Sequence, residues 1–319
     1  MPSSFQICRD GDPVPAALRG AKAAIGNFDG LHRGHQRLIA TVEAEAAKGG
    51  CPSAVLTFEP HPRDFFGAAD RVFRLTPEPV KLRVLEKLGL DGVFLRRFDD
   101  GLAELAAEAF VADLLAGGLG LSGVVVGHDF RFGCNREGDT ARLQALCREN
   151  GLSCTVVPAV AEGERIISST AVRAALEQGD IATANGLLGY RWFVRAEVRH
   201  GEKRGRVLGF PTANMRLPED CRLRHGIYAV RARVGGRDHG GVASYGRRPT
   251  FDNGAPLLEV HLFDFAGHLY GMTLDVEFVG WIRGEERFES AEALVERMNR
   301  DAEEARALLA ADAVRSMID

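Results

Sequence analysis

The chain has 319 residues, of which 45% are hydrophobic and 26% are charged, and its formal net charge is −4. This length suits two globular domains, and this mixture of residues is typical of a soluble protein. The small negative charge gives no overall basic field of the kind that attracts nucleic acid, so we expect no nucleic-acid partner.

Other broad features narrow the class of protein further. The N-terminal sequence MPSSFQICRDGDPVP lacks the basic region and apolar core of a signal peptide. No apolar run approaches the roughly 18 residues of a membrane span, so we expect no membrane partner. The cysteines form no CxxC pair, which favours reduced thiols in a cytoplasmic protein. Without a coiled-coil pattern, we expect a monomer or a weak homo-oligomer. The cysteines are Cys8, Cys51, Cys134, Cys147, Cys154 and Cys221.

The first half of the sequence alternates between two patterns. Short apolar runs occur at AAIGNF, SAVLTF, DGVFL, GVVVG and CTVVP, and stretches with helical periodicity, such as 78–88 and 104–115, separate them. This alternation predicts a Rossmann-like α/β domain with a parallel sheet covered on both faces. Ligands of such sheets bind at the carboxyl ends of the strands, so the turns after AAIGNF, SAVLTF and GVVVG are candidate sites.

The turn IGNFDGLHRGH places two histidines, His32 and His35, between a predicted strand and a predicted helix. Glycines in such a turn let the backbone approach a ligand closely. A helix that begins near Gly34 offers free N–H groups and a partial positive charge to a phosphate. Histidines there can stabilise the charge that develops when an α-phosphate is attacked. A GxxxxGK[ST] loop is absent, which disfavours ordinary γ-phosphate transfer at this turn.

A capping histidine beside a surface histidine is the alternative interpretation of this turn. A zinc pair is disfavoured, because helical ligands usually lie four residues apart and no third ligand is apparent. Three more motifs support a phosphate site. GHDFRFG follows GVVVG at the same sheet edge, FEPHPRDFF offers aromatic rings and Arg63 to a planar ligand, and ISSTAVR places hydroxyls and an arginine at a predicted helix start.

GNFDGLHRGH, FEPHPRDFF, GHDFRFG and SSTAVR, in this order, resemble the adenylyltransferase module of the prokaryotic bifunctional FAD synthetases, which are HxGH nucleotidyltransferases. The resemblance implies that FMN attacks the α-phosphate of ATP to give FAD and pyrophosphate, with Mg²⁺ at the triphosphate. It implies catalytic roles for His32 and His35. It implies ATP contacts by Gly26, Phe28, Gly34, Ser169, Thr170 and Arg173. It implies flavin contacts by Asn27, Asp29, His61, Pro62, Asp129, Arg131 and Phe132. Ala171 departs from the family, which often has a basic residue there.

The pattern changes near residue 185. The segments FVRAEVRH, IYAVRARV, LLEVHLFDF and LDVEFVGWIR alternate apolar and polar residues, which predicts antiparallel strands with one face in water. Five or six such strands within about 90 residues suggest a barrel. A helical apolar stripe over 291–309 should pack on that barrel. We therefore predict two domains, residues 1–186 and 187–319.

The segment EVRHGEKRGRVLGFPTANM combines glycines with basic residues. It predicts a mobile loop that closes over phosphates, with a solvated hairpin loop as the alternative. Thr212 and Asn214 lie two apart, so on a strand they share a face, and their oxygens suit Mg²⁺. Glu259 and His261 likewise share a face. Glu259 could accept a proton from a hydroxyl nucleophile, whereas a solvated strand residue is the alternative.

HGEKRGRVLGFPTAN, GIYAVR, RRPTF and LEVHLFDF resemble the riboflavin kinase module of the same family. The resemblance implies a six-stranded flavin-binding barrel that phosphorylates the 5′-hydroxyl of riboflavin. It makes Glu259 the general base and makes Thr212 and Asn214 ligands of Mg²⁺ or of phosphate. Gly201, Lys203, Gly205 and Gly209 would belong to the ATP-binding loop. Ser244 and Tyr245 depart from the family, in which an Asn followed by an aliphatic residue is common.

We expect an enzyme that uses ATP to convert riboflavin to FMN and then to FAD. Another HxGH enzyme acting on a phosphopantetheine or a sugar phosphate is one alternative, but it has no reason to carry the barrel. A flavin-binding or regulatory protein without turnover is a second alternative. The intact residues His32, His35, Thr212, Asn214 and Glu259 argue against it. A third alternative is that only one module is active.

Overall fold

The structure is a computed structural model that describes residues 5–67, 71–162, 165–201, 209–247 and 256–318. The chain divides into two compact units, Met1–Ser168 and Ser169–Asp319. Each unit has its own sheet and its own core.

The first unit is built on six long strands and a two-stranded hairpin. The strands are β1 (Gln6–Arg9), β2 (Lys22–Ile25), β3 (Ser53–Glu59), β4 (Gly92–Arg97), β5 (Gly123–Gly127), β6 (Ser153–Val157), β7 (Ala161–Glu162) and β8 (Arg165–Ile166). The α-helices are α1 (Arg33–Gly49), α2 (Pro62–Phe65), α3 (Glu78–Lys87), α4 (Asp100–Ala103), α5 (Ala107–Ala109) and α6 (Thr140–Glu149).

The six long strands form a parallel sheet in the order β1-β4-β3-β2-β5-β6, which confirms the predicted α/β fold. Strands β3 and β5 are almost entirely buried, as expected for strands covered on both faces. The chain adds β3 and β4 on one side of β2 and β5 and β6 on the other. The strand order therefore reverses between β2 and β5, which is where open α/β sheets bind ligands.

Two elements differ from the sequence-based expectation. The edge strand β1 was not predicted, because its four residues QICR contain no apolar run. The stretch 104–115 is not one regular helix. Helix α4 is capped by Asp99, the short helix α5 follows a break, and Phe110–Gly118 is π-helical. The amide of Leu119 donates to the Leu114 carbonyl at 2.9 Å, so the wide turn continues to the end of that segment.

The second unit begins with two helices and continues as a barrel. Its helices are α7 (Ser169–Gln178), α8 (Ile181–Leu188) and α9 (Ala291–Ala311). Its strands are β9 (Phe193–Arg199), β10 (Ala213–Arg216), β11 (Gly226–Val234), β12 (Arg237–Arg247), β13 (Pro256–Leu262) and β14 (Thr273–Arg283). The six strands close in the order β10-β13-β12-β11-β14-β9, and all neighbours are antiparallel, which confirms the predicted barrel.

Helix α9 packs on the barrel, as its apolar stripe predicted. Ala305 and Leu309 are buried in a cluster with Ile282 of β14. At the same interface the guanidinium of Arg283 donates to both carboxylate oxygens of Asp301 at 2.6 to 3.1 Å, and both side chains are buried. Apolar burial and a bidentate ion pair thus hold the helix in one register.

Helices α7 and α8 group with the barrel rather than with the parallel sheet. The Asn185 side chain of α8 donates to the Phe278 carbonyl at 2.9 Å and accepts from the Trp192 amide at 2.8 Å. The compact division at residues 168–169 therefore precedes the predicted boundary at 186–187. That boundary stays a prediction.

Candidate active sites

The turn that joins β2 to α1 is buried and has an unusual backbone. Phe28 and Leu31 have positive φ angles of 48° and 43°, and both side chains are fully buried. Gly30 between them has a φ of 83°. Positive φ is strained for residues with a Cβ and persists only where the surroundings over-determine the conformation. The surroundings do so here, because the Gly26 amide donates to the Leu56 carbonyl at 3.1 Å and the Gly30 amide donates to the Thr76 hydroxyl at 2.8 Å.

The two histidines stand face to face at the start of α1. Their ring centroids are 3.7 Å apart, and the ring planes differ by 17°. Nδ1 of His32 caps the helix by accepting from the His35 amide at 3.3 Å. An accepting Nδ1 leaves the proton of a neutral imidazole on Nε2, so Nε2 is the donor atom of the His32 ring. The capping interpretation is thus correct for His32, and a histidine that caps a helix can also contact a ligand.

His35 is an inward-facing residue rather than a surface one. Burial lowers its pKa well below the usual value, and the neighbouring His32 and Lys81 act in the same direction. Its Nδ1 atom is enclosed and has no hydrogen-bond partner among the described residues. The Cβ of a residue larger than glycine at position 34 would come within 3.1 Å of the His32 ring, so Gly34 permits the close stack. A neutral imidazole at the positively polarised N-terminus of a long helix is a suitable phosphate site.

Asp29 and Asn27 are held by the protein itself. The Asp29 carboxylate is buried and accepts from the amides of Leu75 and Thr76 at 3.2 and 2.9 Å. The Asn27 carbonyl accepts from the Thr57 hydroxyl at 3.2 Å. The structure therefore shows Asp29 anchoring the turn, and its predicted contact with a flavin stays a prediction.

A cluster of buried charges lies beside this turn, and sequence reasoning missed it. The Arg74 guanidinium donates to both oxygens of Glu59 at 3.0 and 2.6 Å, and the Lys81 ammonium donates to Glu59 at 2.8 Å. Burial lowers the pKa of Lys81, although Glu59 opposes this effect. The signal in the sequence is EPVKLRVL, where Lys81 interrupts the apolar side of a helix that also buries Val84.

The FEPHPRDFF segment follows β3 and forms α2. His61 caps this helix, because its Nδ1 accepts from the Arg63 amide at 3.2 Å, and Pro62 is the first helical residue. The rings of Phe65, Phe66 and Phe98 contact one another at centroid distances of 5.2 to 5.7 Å. The Phe66 side chain is 69% exposed, so this aromatic cluster offers a face to a planar ligand.

The GHDFRFG segment follows β5, the strand next to β2. Asp129 and Arg131 are exposed, as ligand contacts require. Phe132 is different, because it is buried in the core and packs against Phe110 with a centroid distance of 5.4 Å. The resemblance located the segment, but it did not distinguish the side chains that face solvent from the one that faces the core. A direct flavin contact by Phe132 stays a prediction.

The ISSTAVR segment provides the first turns of α7 in the second compact unit. Ser169 is half-buried, Thr170 is exposed and Arg173 is half-buried. These residues start a helix, as predicted, and their contact with a triphosphate stays a prediction.

The second candidate site is a row of neighbours on the outer face of the barrel. Asn214 of β10 lies directly opposite Glu259 of β13 on one side and Arg199 of β9 on the other. Glu259 in turn lies opposite Ser244 of β12. The alternate residues, such as Leu258 of β13, are buried inside the barrel. Directly opposite residues have Cβ atoms about 5 Å apart, so the register brings the predicted base beside the predicted metal ligand.

Asn214 fits a metal ligand on the geometry of its own amide. The side chain is buried, its Nδ2 donates to the Thr212 carbonyl at 3.4 Å, and its Oδ1 is enclosed without a partner among the described residues. A buried acceptor of this kind normally has a donor or a cation. Gly201 borders the same amide, because a Cβ at this position would come within 2.5 Å of Nδ2. The oxygen chemistry of Asn214 and Thr212 suits Mg²⁺.

A small cavity adjoins these residues. Gly201, Thr212, Asn214, Leu269 and Tyr270 are among the residues that line it. The ring of Tyr270 stacks on His200, with centroids 4.0 Å apart. The cavity is therefore lined both by the two residues that are predicted to bind Mg²⁺ and by an aromatic ring.

The remaining predicted residues of the barrel motifs differ in their surroundings, and some of them lie outside the described residues. Glu259 is half-buried, and the ring of His261 on the same face contacts the Pro211 carbonyl through Nδ1 at 2.9 Å. Gly209 has a φ of 85°, which favours glycine. Lys203 and Gly205 of the predicted ATP-binding loop, and most of the RRPTF motif, lie outside the described residues.

The described residues also bear on metal binding and on membrane crossing. They contain no group of three or more His, Cys, Asp or Glu side chains that could hold a metal ion. Over the same parts of the chain, no helix combines the length and the apolar character that crossing a membrane requires.

Comparison with known proteins places both sites in one family. Residues 14–171 match the family model of FAD synthetase, and residues 188–309 match that of riboflavin kinase. A bifunctional riboflavin kinase/FMN adenylyltransferase of Haemophilus influenzae is 39% identical over 95% of this chain and 99% of its own. That of Escherichia coli K12 is 42% identical over 90% and 92%. A Streptococcus pneumoniae crystal structure described as a macrolide-efflux protein is 30% identical, with a TM-score of 0.80 over 90% and 94%.

Proposed function

The chain belongs to the family of bifunctional riboflavin kinase/FMN adenylyltransferases, and from this premise we propose how its residues divide the two reactions. The enzyme phosphorylates riboflavin with ATP to give FMN. It then transfers the adenylyl group of a second ATP to FMN to give FAD. We assign the first reaction to the barrel and the second to the parallel-sheet unit.

In the barrel, Glu259 acts as the general base for the 5′-hydroxyl of riboflavin. It takes the hydroxyl proton as the oxygen attacks the γ-phosphorus of ATP and the bond to ADP breaks. The partial burial of Glu259 and its place opposite Asn214 support this role. Asn214 and Thr212 would hold Mg²⁺, which, when bound, offsets the charge of the triphosphate. The resemblance assigns ATP binding to the segment between Gly201 and Gly209, most of which lies outside the described residues.

In the parallel-sheet unit, His32 and His35 act on the α-phosphate of ATP. A phosphate oxygen of FMN attacks the α-phosphorus, and the bond to pyrophosphate breaks. The Nε2–H of His32 donates to a phosphate oxygen as charge develops on it, and the positive end of the α1 dipole favours the same charge. The neutral state of His35 supports a role as a hydrogen-bond donor rather than as a fixed cation.

The remaining roles follow from the resemblance, with support of unequal strength. The exposure of Asp129 and Arg131 supports flavin contacts, whereas Ser169, Thr170 and Arg173 are assigned to the triphosphate by their motif alone. The ranges of the two family models support a division at residues 186–187. The free cysteines support a cytoplasmic enzyme, and we propose a monomer or weak homo-oligomer.

The observation that carries the proposal is the pairing of Glu259 with Asn214 in one unit, together with the stacked histidines of the other unit. The test is chromatography of flavins after incubation of the pure protein with riboflavin, ATP and Mg²⁺. We expect FMN to appear first and FAD second, and chelation of Mg²⁺ with EDTA to stop both. FMN alone would contradict the assignment of the histidine site. Unchanged riboflavin beside conversion of supplied FMN to FAD would contradict the assignment of the barrel.

A further inference from the structure

A buried hydroxyl links the histidine turn to the buried charges. Thr57 lies on β3, next to β2, and is fully buried. Its hydroxyl donates to the Asn27 carbonyl at 3.2 Å and accepts from the Lys81 ammonium at 3.4 Å. The same ammonium donates to Glu59 at 2.8 Å. A continuous line of polar contacts therefore runs from Glu59 through Lys81 and Thr57 to the backbone of the turn.

Fold stability alone gives little reason for this lysine. Helix α3 places Lys81 on its apolar side, and the residue is fully buried. Burying an ammonium costs free energy that an apolar side chain of similar volume avoids, even when a carboxylate is its partner. Glu59 already has a bidentate partner in Arg74, so Lys81 is not required to satisfy it.

The turn, by contrast, needs such support. Phe28 and Leu31 hold positive φ angles, which are strained for residues with a Cβ, so an unsupported turn would relax. Thr76 holds the Gly30 amide from one side, and Thr57 holds the Asn27 carbonyl from the other. A donor polarised by an ammonium makes a stronger hydrogen bond than an ordinary hydroxyl. Small displacements of groups that act on a transition state reduce rates steeply.

We propose that Lys81 and Thr57 are positioning residues for adenylyl transfer, which hold the Asn27 carbonyl and thereby fix the turn that presents His32 and His35 to the triphosphate. The inference rests on the adenylyl transfer assigned above to this unit. The Lys81 charge also acts with burial and the neighbouring His32 to lower the pKa of His35.

The test is a matched pair of variants at one position. Thr57→Val keeps the shape and removes the hydroxyl, whereas Thr57→Ser keeps the hydroxyl and removes a methyl group. We expect Thr57→Val to lower kcat for conversion of FMN to FAD by about 10-fold, which corresponds to the net contribution of one intramolecular hydrogen bond. KM for FMN should change by less than about 3-fold, and Thr57→Ser should stay within about 2-fold of wild type. A purely packing role predicts the reverse order, because only serine leaves a cavity.

A second variant tests the ammonium. Lys81→Met keeps the length of the side chain, and we expect it to lower the same kcat by about 10-fold to 100-fold. Riboflavin phosphorylation by the barrel is the internal control and should be unchanged in all three variants. If Lys81→Met fails to fold, the pair at Thr57 still decides. A kcat for Thr57→Val equal to that of wild type overturns the inference. Absence of FAD formation by the wild type would instead overturn the proposed function on which it rests.

Discussion

The two active sites of this enzyme are assembled in different ways. In the parallel-sheet unit, the proposed catalytic histidines lie three residues apart on one turn, and hydrogen bonds to the turn hold it in place. In the barrel, the proposed base Glu259 and the proposed metal ligand Asn214 lie 45 residues apart in the chain and meet because β10 and β13 pair in one register. A turn-built site depends on the contacts beneath it, whereas a sheet-built site depends on strand pairing. A substitution that disables one site should therefore leave the other site active.

The strongest test of this separation is Glu259→Gln. Glutamine keeps the size of the side chain but cannot accept the hydroxyl proton, so we expect kcat for riboflavin phosphorylation to fall by about 10² to 10⁴. Initial rates with riboflavin and with supplied FMN measure the two reactions separately, and the rate with FMN should stay within about 2-fold. Glu197→Gln, on the exposed face of β9, is the matched control and should leave both rates unchanged. Equal loss of both activities in Glu259→Gln would contradict the division of labour.

The reciprocal test is His35→Ala. Removing a donor to the α-phosphate should lower FAD formation by about 10² to 10³, as loss of a transition-state hydrogen bond does in other enzymes. Asn at position 35 retains one donor and should recover part of the rate. Riboflavin phosphorylation serves as the control in the same preparation. A normal rate of FAD formation in His35→Ala would remove this residue from the mechanism.

The difference between the sites also explains what could be predicted from the sequence. The histidine turn is contiguous, so its glycines, its helix start and its place after a buried strand are all legible in IGNFDGLHRGH. The barrel strands can be predicted from the alternation of apolar and polar residues. The pairing of Asn214 with Glu259 cannot, because the lengths of the strands and loops between them do not fix a register.

Buried polar partners were the least predictable part of the site. Lys81 contacts a carboxylate 22 residues away, and Asp29 contacts an amide 47 residues away. No local pattern encodes such pairs. Motif resemblance likewise grouped Asp129, Arg131 and Phe132, whereas packing separates them, because Phe132 turns into the core. The edge strand β1 escaped prediction for a third reason, since a four-residue strand carries too little periodicity.

A milder change should affect the barrel site through its geometry alone. Gly201→Ala places a methyl group within 2.5 Å of the Asn214 amide, so the amide must move. Because neighbours of a metal ligand typically change metal affinity by 10-fold to 100-fold, we expect the Mg²⁺ concentration for half-maximal kinase activity to rise by about 10-fold. The measurement compares an Mg²⁺ titration of kinase activity, with riboflavin as substrate, with an Mg²⁺ titration of FAD formation from FMN. Gly236→Ala, in the turn between β11 and β12, controls for a general effect on the barrel. An unchanged titration would show that Gly201 does not set the position of Asn214.

The smallest expected effect is on the pH dependence of stability. It involves Glu59 and Glu277, one in each unit, whose pKa values shift in opposite directions. Burial alone would raise the pKa of Glu59, but the hydrogen bonds of Arg74 and the charge of Lys81 lower it below its ordinary value of 4.5. Burial raises the pKa of Glu277, although Ser316 and Arg191 oppose it. Ionised Glu59 therefore contributes stability above pH 4.5 that is lost as the pH falls through its folded pKa. The contribution of Glu277 has the opposite sign: it is fully present below pH 4.5 and is lost as the pH rises through its folded pKa.

Calorimetry between about pH 3.5 and pH 7 resolves these contributions when wild type is compared with Glu59→Gln and with Glu277→Gln. The difference in stability between wild type and Glu59→Gln should grow with pH, and the difference from Glu277→Gln should shrink. Both tryptophans, Trp192 and Trp281, lie in the second unit, so their fluorescence identifies its transition. Differences that change with pH in the same direction would contradict the opposite shifts. If both differences grew with pH, pairing with arginine would outweigh burial at both carboxylates.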